Sequence, residues 1–291
     1  MYLESPDFRS WDRPWEPLST TVIPCSWTVL VPFFNERDMI GPTIESLAAQ
    51  DMRFELILID NGSTDGSGAV AAATCARLGL AHTLLVESKP GKVNALAAGV
   101  DLVRTCYVAT CDADTLYPSD YLRQAARLLD RGAVAAGAYF VAPGAGAADH
   151  ARAARRMMRS AALLPDQCHT GGAGQVFRTT ALRRAGQFDA RRWGYVLEDH
   201  EILHRVGKHG PIAYGDAFWC APSPRERDRE SIRWTLVERL AYHLTPTPAR
   251  DWFFYGFLAR RLQQRKLTSD RIREREFQSV GIIQPEARLA A

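Results

Sequence analysis

Two aspartates one residue apart close the apolar run Val108-Ala-Thr-Cys-Asp-Ala-Asp114. Side chains two apart in extended chain point the same way, and where a strand opens into a loop Asp112 and Asp114 can converge on one hard cation. That arrangement holds a divalent ion against a diphosphate, and oxygen-only ligation implies Mg2+ or Mn2+. The plainer use of such a pair is to cap the helix that follows. A second acidic pair, Glu198-Asp199, offers a carboxylate that can accept a proton, although acidic residues also favour a first helical turn for their own sake. Pro90-Gly-Lys92 places an ammonium just before a helix, where it and the free helix N–H groups can stabilise phosphate charge.

The elements that must position these groups alternate. Strand-like runs at 27–33, 55–60, 83–87 and 107–111 are followed by helix-patterned stretches at 39–50, 67–78, 92–103 and 117–130. Such alternation predicts βαβ units, a mainly parallel sheet, and ligands beyond the carboxyl ends of its strands. The strand ends run into Pro32-Phe-Phe-Asn-Glu36, Asp60-Asn-Gly-Ser-Thr-Asp65 and Asp112-Ala-Asp114, which are therefore expected to face one cleft. Beyond a strand at 133–141 and a Gly/Ala-rich stretch, a basic helix is expected at 149–162, then a helix after Thr180 and another over 193–207. Gly171-Gly-Ala-Gly174 opens this second half. It serves either as a close backbone approach, since glycine tolerates every dihedral, or as a flexible linker.

Composition narrows the field. The 291 residues are 46% hydrophobic and 24% charged, ordinary for a soluble globular protein, with a net charge of +3. No run of like charge is long enough to track a nucleic-acid backbone, so none is expected as partner. Six cysteines at 25, 75, 106, 111, 168 and 220 lack CxxC or CxxH spacing, which points to reduced thiols and no zinc. No apolar run reaches the roughly 18 residues that span a bilayer, and no secretory leader is recognisable. A cytoplasmic location is expected, with any membrane contact peripheral at the inner face.

Taken in order, Val31-Pro-Phe-Phe-Asn-Glu36, Ile59-Asp-Asn-Gly-Ser-Thr-Asp65, Pro90-Gly-Lys-Val-Asn-Ala95, Cys111-Asp-Ala-Asp114, Gly171-Gly-Ala-Gly174 and Leu197-Glu-Asp-His200 resemble the motifs of the inverting family-two glycosyltransferases. The resemblance covers roughly residues 26–235. It implies the GT-A fold, an α/β, Rossmann-like, mainly parallel sheet flanked by helices, here with a helical C-terminal extension. The implied layout is a Pro-rich arm at 1–25, a catalytic domain at 26–222 with a nucleotide-binding half (26–130) and an acceptor half (131–222), and the extension at 223–291.

The resemblance also implies roles. Asp60 reads the imide of uracil or the amide of guanine, or else merely closes a turn with Gly62. Pro32 and Phe33 offer an apolar wall to the base, and Glu36 meets a ribose hydroxyl or caps the next helix. Lys92 contacts the diphosphate, Asp112 reaches the ribose and the ion, and Asp114 coordinates the ion. Asp199 is the base, with Glu198, Gly171 and Gly172 on the acceptor side. Glu230-Ser-Ile-Arg-Trp234 resembles the QxxRW motif of processive members, with Arg233 and Trp234 at the expected place and glutamate standing where those members have glutamine.

The implied activity is metal-dependent, inverting transfer of a hexosyl or N-acetylhexosaminyl group. The donor is a nucleotide-sugar, above all a UDP-sugar, and the acceptor a hydroxyl of a saccharide or glycolipid. A polyprenyl phosphate acceptor and an inactive nucleotide-sugar-binding subunit are the alternatives. A dehydrogenase is disfavoured because no GxGxxG follows the first strand. The aromatic run 252–258, followed by Arg260, Arg261, Arg265 and Lys266, packs on its own domain, meets a second subunit in a homodimer, or rests in an anionic membrane interface.

Overall fold

The computed structural model describes residues 27–223 and 234–271. The Pro-rich arm, Arg233 and most of the Glu230–Trp234 pattern lie outside the described residues. β1 (Trp27–Phe33) and β2 (Phe54–Asp60) are apolar almost without interruption because both faces of the sheet are covered. Val29, Val31, Leu56 and Leu58 point into one layer with Ile40, Ile44 and Leu47 of α1 (Ile40–Ala48) and Leu122 and Leu129 of α4 (Tyr121–Asp130). Leu30, Ile57 and Ile59 point into the other, with Val93, Leu96 and Val100 of α3 (Lys92–Leu102) and Ile202, Leu203 and Val206 of α7 (Glu198–Gly207). Alternation along each strand thus feeds two cores.

β3 (His82–Val86), β2, β1 and β4 (Tyr107–Thr110) form the parallel half, connected through α1, α2 (Ser67–Leu78) and α3. The sheet continues through β7 (Gln175–Arg178), β6 (Ala135–Phe140), β8 (Ile212–Pro222) and β5 (Thr115–Leu116). β7 is antiparallel to both β4 and β6. This reversal sets Gln175 opposite Thr110 and brings the chain entering β7 beside the loop that leaves β4. α5 (Ala147–Leu163) and α6 (Thr179–Arg184) complete the second half.

Two helix starts differ from expectation by four residues or more. The helix predicted from 117 starts at Tyr121, because Thr115 and Leu116 are taken up by pairing with β8. The helix predicted from 193 starts at Glu198: Trp193 and Val196 serve instead in an aromatic cluster, and Leu197 turns the chain in the left-handed region at φ 64°. The C-terminal part is helical, with α8 (Leu236–Leu244), a π-helical stretch (Trp252–Leu258) and α9 (Ala259–Gln264). Phe253, Phe254 and Leu258 are fully buried with Trp193, Tyr242 and Leu262. The aromatic run therefore packs on its own domain, and Arg261 and Arg265 both pair with the buried Glu238.

Candidate active site

Phe33 is in register with Asp60, and the Cys111 N–H donates to the Leu30 carbonyl, so β1, β2 and β4 end along one rim. The first two loops are stitched together: the Asn35 N–H donates to Ser63 Oγ (3.1 Å), Thr64 N–H to Asn35 Oδ1 (2.8 Å) and Arg37 N–H to Asp65 Oδ2 (3.0 Å). Asp60 does close its turn, Oδ1 accepting the Ser63 N–H at 2.7 Å, while Oδ2 lies against Gly68. Glu36 caps α1 with its backbone carbonyl, which accepts from Met39 and Ile40. Pro32 and Phe33 are buried, Phe33 at 3% exposure within the core, and Phe34, half-buried, is the aromatic nearer the surface.

Lys92 stands at the centre of the charged groups. Its Nζ is 2.6 Å from Asp112 Oδ1 and 3.6 Å from Glu198 Oε1, so the loop after β4 and the start of α7 are joined through one ammonium. Burial opposes the charge on Lys92, but Asp112, Glu198 and Asp199 outweigh it and hold the amine protonated well above its usual range. The turn that presents it hangs on Asn61, a residue that looked like a mere turn-former. Asn61 Nδ2 donates to the Glu87 and Lys89 carbonyls (2.9 and 2.7 Å), and Oδ1 accepts the Gly91 N–H (2.7 Å). Gly91 itself adopts φ 114° and packs on Ser269.

The glycine loop arrives from the other side. Gly171 is extended at φ −97°, and none of the glycines at 171, 172 and 174 lies in the left-handed region, so dihedral freedom is not what they supply. They supply space. A Cβ at Gly172 would sit 2.9 Å from Lys92 Nζ, and one at Gly171 would meet the Phe140 ring at 3.1 Å and Asp199 Oδ2 at 3.6 Å. Tyr117 ties this loop to the aspartates, its hydroxyl accepting from the Asp112 N–H (2.9 Å) and donating to the Ala173 carbonyl (3.0 Å). Thr110 Oγ1 donates to the Gly172 carbonyl, and Gln175 Nε2 to the Asp199 carbonyl, both at 2.9 Å. Tyr117 sits three residues past Asp114 in sequence, the one signal that could have found it.

Glu198 and Asp199 occupy the first turn of α7 and are driven in opposite directions. Burial raises the Glu198 carboxyl; Lys92 resists, and the Asp199 charge adds to the rise. Burial also works against ionisation of Asp199, but the charge and hydrogen bonds of His200, with Lys92, outweigh it and hold Asp199 below the ordinary aspartate range. Asp199 Oδ1 accepts from the His200 N–H (2.8 Å) and Nδ1 (2.9 Å). Adjacent carboxylates pushed apart in this way leave one ionised and ready to take a proton. Beyond His200 the wall is aromatic: Trp234 lies edge-on to it with centroids 5.1 Å apart, and Tyr242 follows at 5.8 Å.

Asp112 and Asp114 lie in the tight turn between β4 and β5, Asp114 at 5% exposure with its carbonyl accepting the Ser223 N–H (2.8 Å). Among the described residues no three His, Cys, Asp or Glu side chains converge as a metal cage. Mg2+ and Mn2+ that share phosphate oxygens with a ligand need only one or two protein carboxylates and otherwise keep water. Asp112 and Asp114 supply two carboxylates in one turn, a donor set of the kind such an ion takes.

Three comparisons with known proteins bear on this site. The sequence profile of Glycosyl transferase family 2 matches residues 28–186, more than half of the 291-residue chain. Dodecaprenyl-phosphate galacturonate synthase from Rhizobium johnstonii is 38% identical over 92 residues, 30% of this chain and 27% of that protein. The uncharacterized glycosyltransferase YaiP of Escherichia coli is 27% identical over 223 residues, 71% of this chain and 55% of its own. The chain therefore spans about a quarter and about half of the lengths of these two relatives. Among solved structures, the mannosyltransferase PcManGT from Pyrobaculum calidifontis, in complex with GDP-Man and Mn2+, superposes with a TM-score of 0.58 at 21% identity, covering 78% of this chain and 68% of that one. Glucosyl-3-phosphoglycerate synthase from Mycobacterium tuberculosis, with Mn2+, UDP and glucosyl-3-phosphoglycerate, gives 0.53 at 18% identity, covering 80% and 86%. The likeness to these glycosyltransferases covers about four-fifths of the chain, and the fold is GT-A.

Proposed function

The chain belongs to glycosyl transferase family 2, and from that premise we propose that it moves a sugar from a nucleoside diphosphate to an acceptor hydroxyl with inversion at the anomeric carbon. The observation that carries the reading is Lys92, which links Asp112 on the donor side to Glu198 beside Asp199 within one cleft. Asp60 reads the base of the donor, a UDP-sugar in the first instance, and Lys92 meets its diphosphate, exchanging carboxylate partners for phosphate oxygens. Asp114 and Asp112 would hold Mg2+ or Mn2+, which when bound neutralises charge on the departing diphosphate. Asp199, kept ionised by His200 and Lys92, takes the acceptor proton as the new bond forms on the face opposite the leaving group. Glu198, whose carboxyl burial pushes up, orients Lys92. Phe140, beside Gly171, and Trp234, beside His200, would line the sugar path. Arg233 is proposed from the sequence motif alone.

A thermal-shift series with UDP, GDP and dTDP, each with Mn2+, tests the donor side. The expected result is a rise for UDP that requires the metal and disappears in Asp114→Ala, because only ligands that prefer the native form raise the melting point. No rise with any nucleotide would contradict the assignment. A phosphate acceptor is the second reading, favoured by the relative named for dodecaprenyl phosphate. Such an oxygen is already ionised and needs no base. Substantial transfer by Asp199→Asn to a polyprenyl phosphate would select that reading, and donor binding without turnover on any acceptor would select a binding subunit.

A further inference from the structure

α8 is built the wrong way round for a helix that belongs wholly to a soluble domain. At 100° per residue Leu236, Val237, Leu240 and Leu244 fall on one stripe, and that stripe faces outward, with Leu236 83% and Leu244 72% exposed. The opposite face carries Glu238 and Tyr242, both buried, Glu238 held by Arg261 and Arg265. Arg239 and His243 flank the stripe and are exposed. A contiguous apolar face of this kind marks an interaction surface.

α5 points to what covers it. Arg152, Arg155, Arg156 and Arg159 recur at helical spacing along one exposed side of α5, and the same side ends in Leu163, 80% exposed. The chain leaving α5 is bonded directly to α8: Gln167 Oε1 pairs with His243 Nδ1 at 2.7 Å, and Gln167 Nε2 donates to the Tyr242 carbonyl. An exposed arginine row and an exposed apolar stripe thus stand on two helices joined through Gln167, and basic and apolar faces of this kind suit an anionic membrane interface with the leucines among the acyl chains. α8 adjoins the site through Tyr242, which packs against His200. The run 252–258, for which an interfacial position was one of three readings, has Phe253 and Phe254 committed to the core.

We propose that α8, with the arginine face of α5, docks this protein on an anionic lipid surface. The further consequence, that acceptors are met at the bilayer, rests on the transferase reading above, whereas the docking itself does not. The test is co-sedimentation of the full chain with phosphatidylglycerol vesicles and with phosphatidylcholine vesicles, without donor. Binding is expected to the anionic vesicles, to weaken with salt, and to fall about tenfold or more in Leu240→Glu and in Leu244→Glu. Arg155→Glu/Arg159→Glu should reduce anionic binding while leaving the leucine stripe intact. UDP–Mn2+ thermal shifts on the same variants should match wild type, which separates failure of docking from failure of the transferase reading and from misfolding. Absence of vesicle binding would overturn the proposal. So would a dimer that Leu240→Glu dissociates, or vesicle binding that appears only after removal of residues 272–291, since either identifies a protein cover for the stripe.

Discussion

Lys92 compresses the electrostatics of the cleft into one side chain. Removing it leaves Asp112, Glu198 and Asp199 facing one another without their shared cation. Lys92→Met is expected to weaken UDP–Mn2+ binding about tenfold to a hundredfold, the loss of one charge-assisted bond to phosphate, readable by calorimetry. His200 acts on Asp199, the proposed base. Asp199 sits below the ordinary aspartate range of about 3.9, so donor turnover that depends on its ionised form should persist down to and beyond that value as pH falls. His200→Phe removes the ring charge and the ring Nδ1 hydrogen bond that favour the ionised form, and leaves the backbone N–H bond in place. Its acid limb in a kcat/KM profile should move to higher pH, and an unmoved limb would exclude His200 from this role.

At the scale of elements, the segment after α9 braces the site. Leu267 accepts from the Val196 N–H, Ser269 donates its N–H to the Gly194 carbonyl, and Ser269 packs on Gly91. The loops carrying Lys92 and Glu198-Asp199 therefore lean on the same short strip of chain. A Cβ at Gly91 would meet Ser269 Oγ at 2.9 Å and its backbone at 3.1 Å, on a backbone at φ 114°. Gly91→Ala is expected to cost at least about 1–3 kcal/mol, seen as a lowered denaturation midpoint, and to weaken donor binding with it. The extension that supplies this strip is fastened by Glu238, which caps α8 reciprocally with Thr235 and receives Arg261 and Arg265. Burial opposes its charge, but these partners hold its carboxyl below the usual range. Its stabilisation is therefore full above the unfolded glutamate value of about 4.3 and is lost as pH falls through the lower folded value. Glu238→Gln should lower the melting point at neutral pH and narrow its gap to wild type in acid.

Over the whole molecule, what could be read from sequence was what repeats. β1 and β2 announce themselves as apolar runs because both faces are buried, and α2 runs from Ser67 to Leu78 as its pattern predicts. The ordered motifs and strand ends pointed to the segments that carry Asp112, Lys92 and Glu198, while the pairing of Lys92 with both carboxylates is visible only in the structure. What stayed hidden was aperiodic and long-range. The bonds of Asn61 to Glu87, Lys89 and Gly91, and of Tyr117 to Ala173, depend on the fold bringing distant loops together, and no local spacing encodes them. The burial of Phe33 was equally hidden, because a strand-end aromatic looks the same in sequence whether it faces solvent or the core. The apolar run 252–258 and the stripe on α8 differ in the same way: composition marked the first, and only packing revealed that the second is the one left outside.

The account turns on Asp199 as an ionised base across the cleft from the diphosphate. The most direct measurement is metal-dependent release of UDP from a UDP-sugar, with water as acceptor, by wild type and Asp199→Asn, alongside UDP–Mn2+ thermal shifts of both. The predicted result is turnover reduced about 100-fold or more, the contribution of a positioned base, with an unchanged thermal shift. Wild-type turnover by Asp199→Asn would contradict the account.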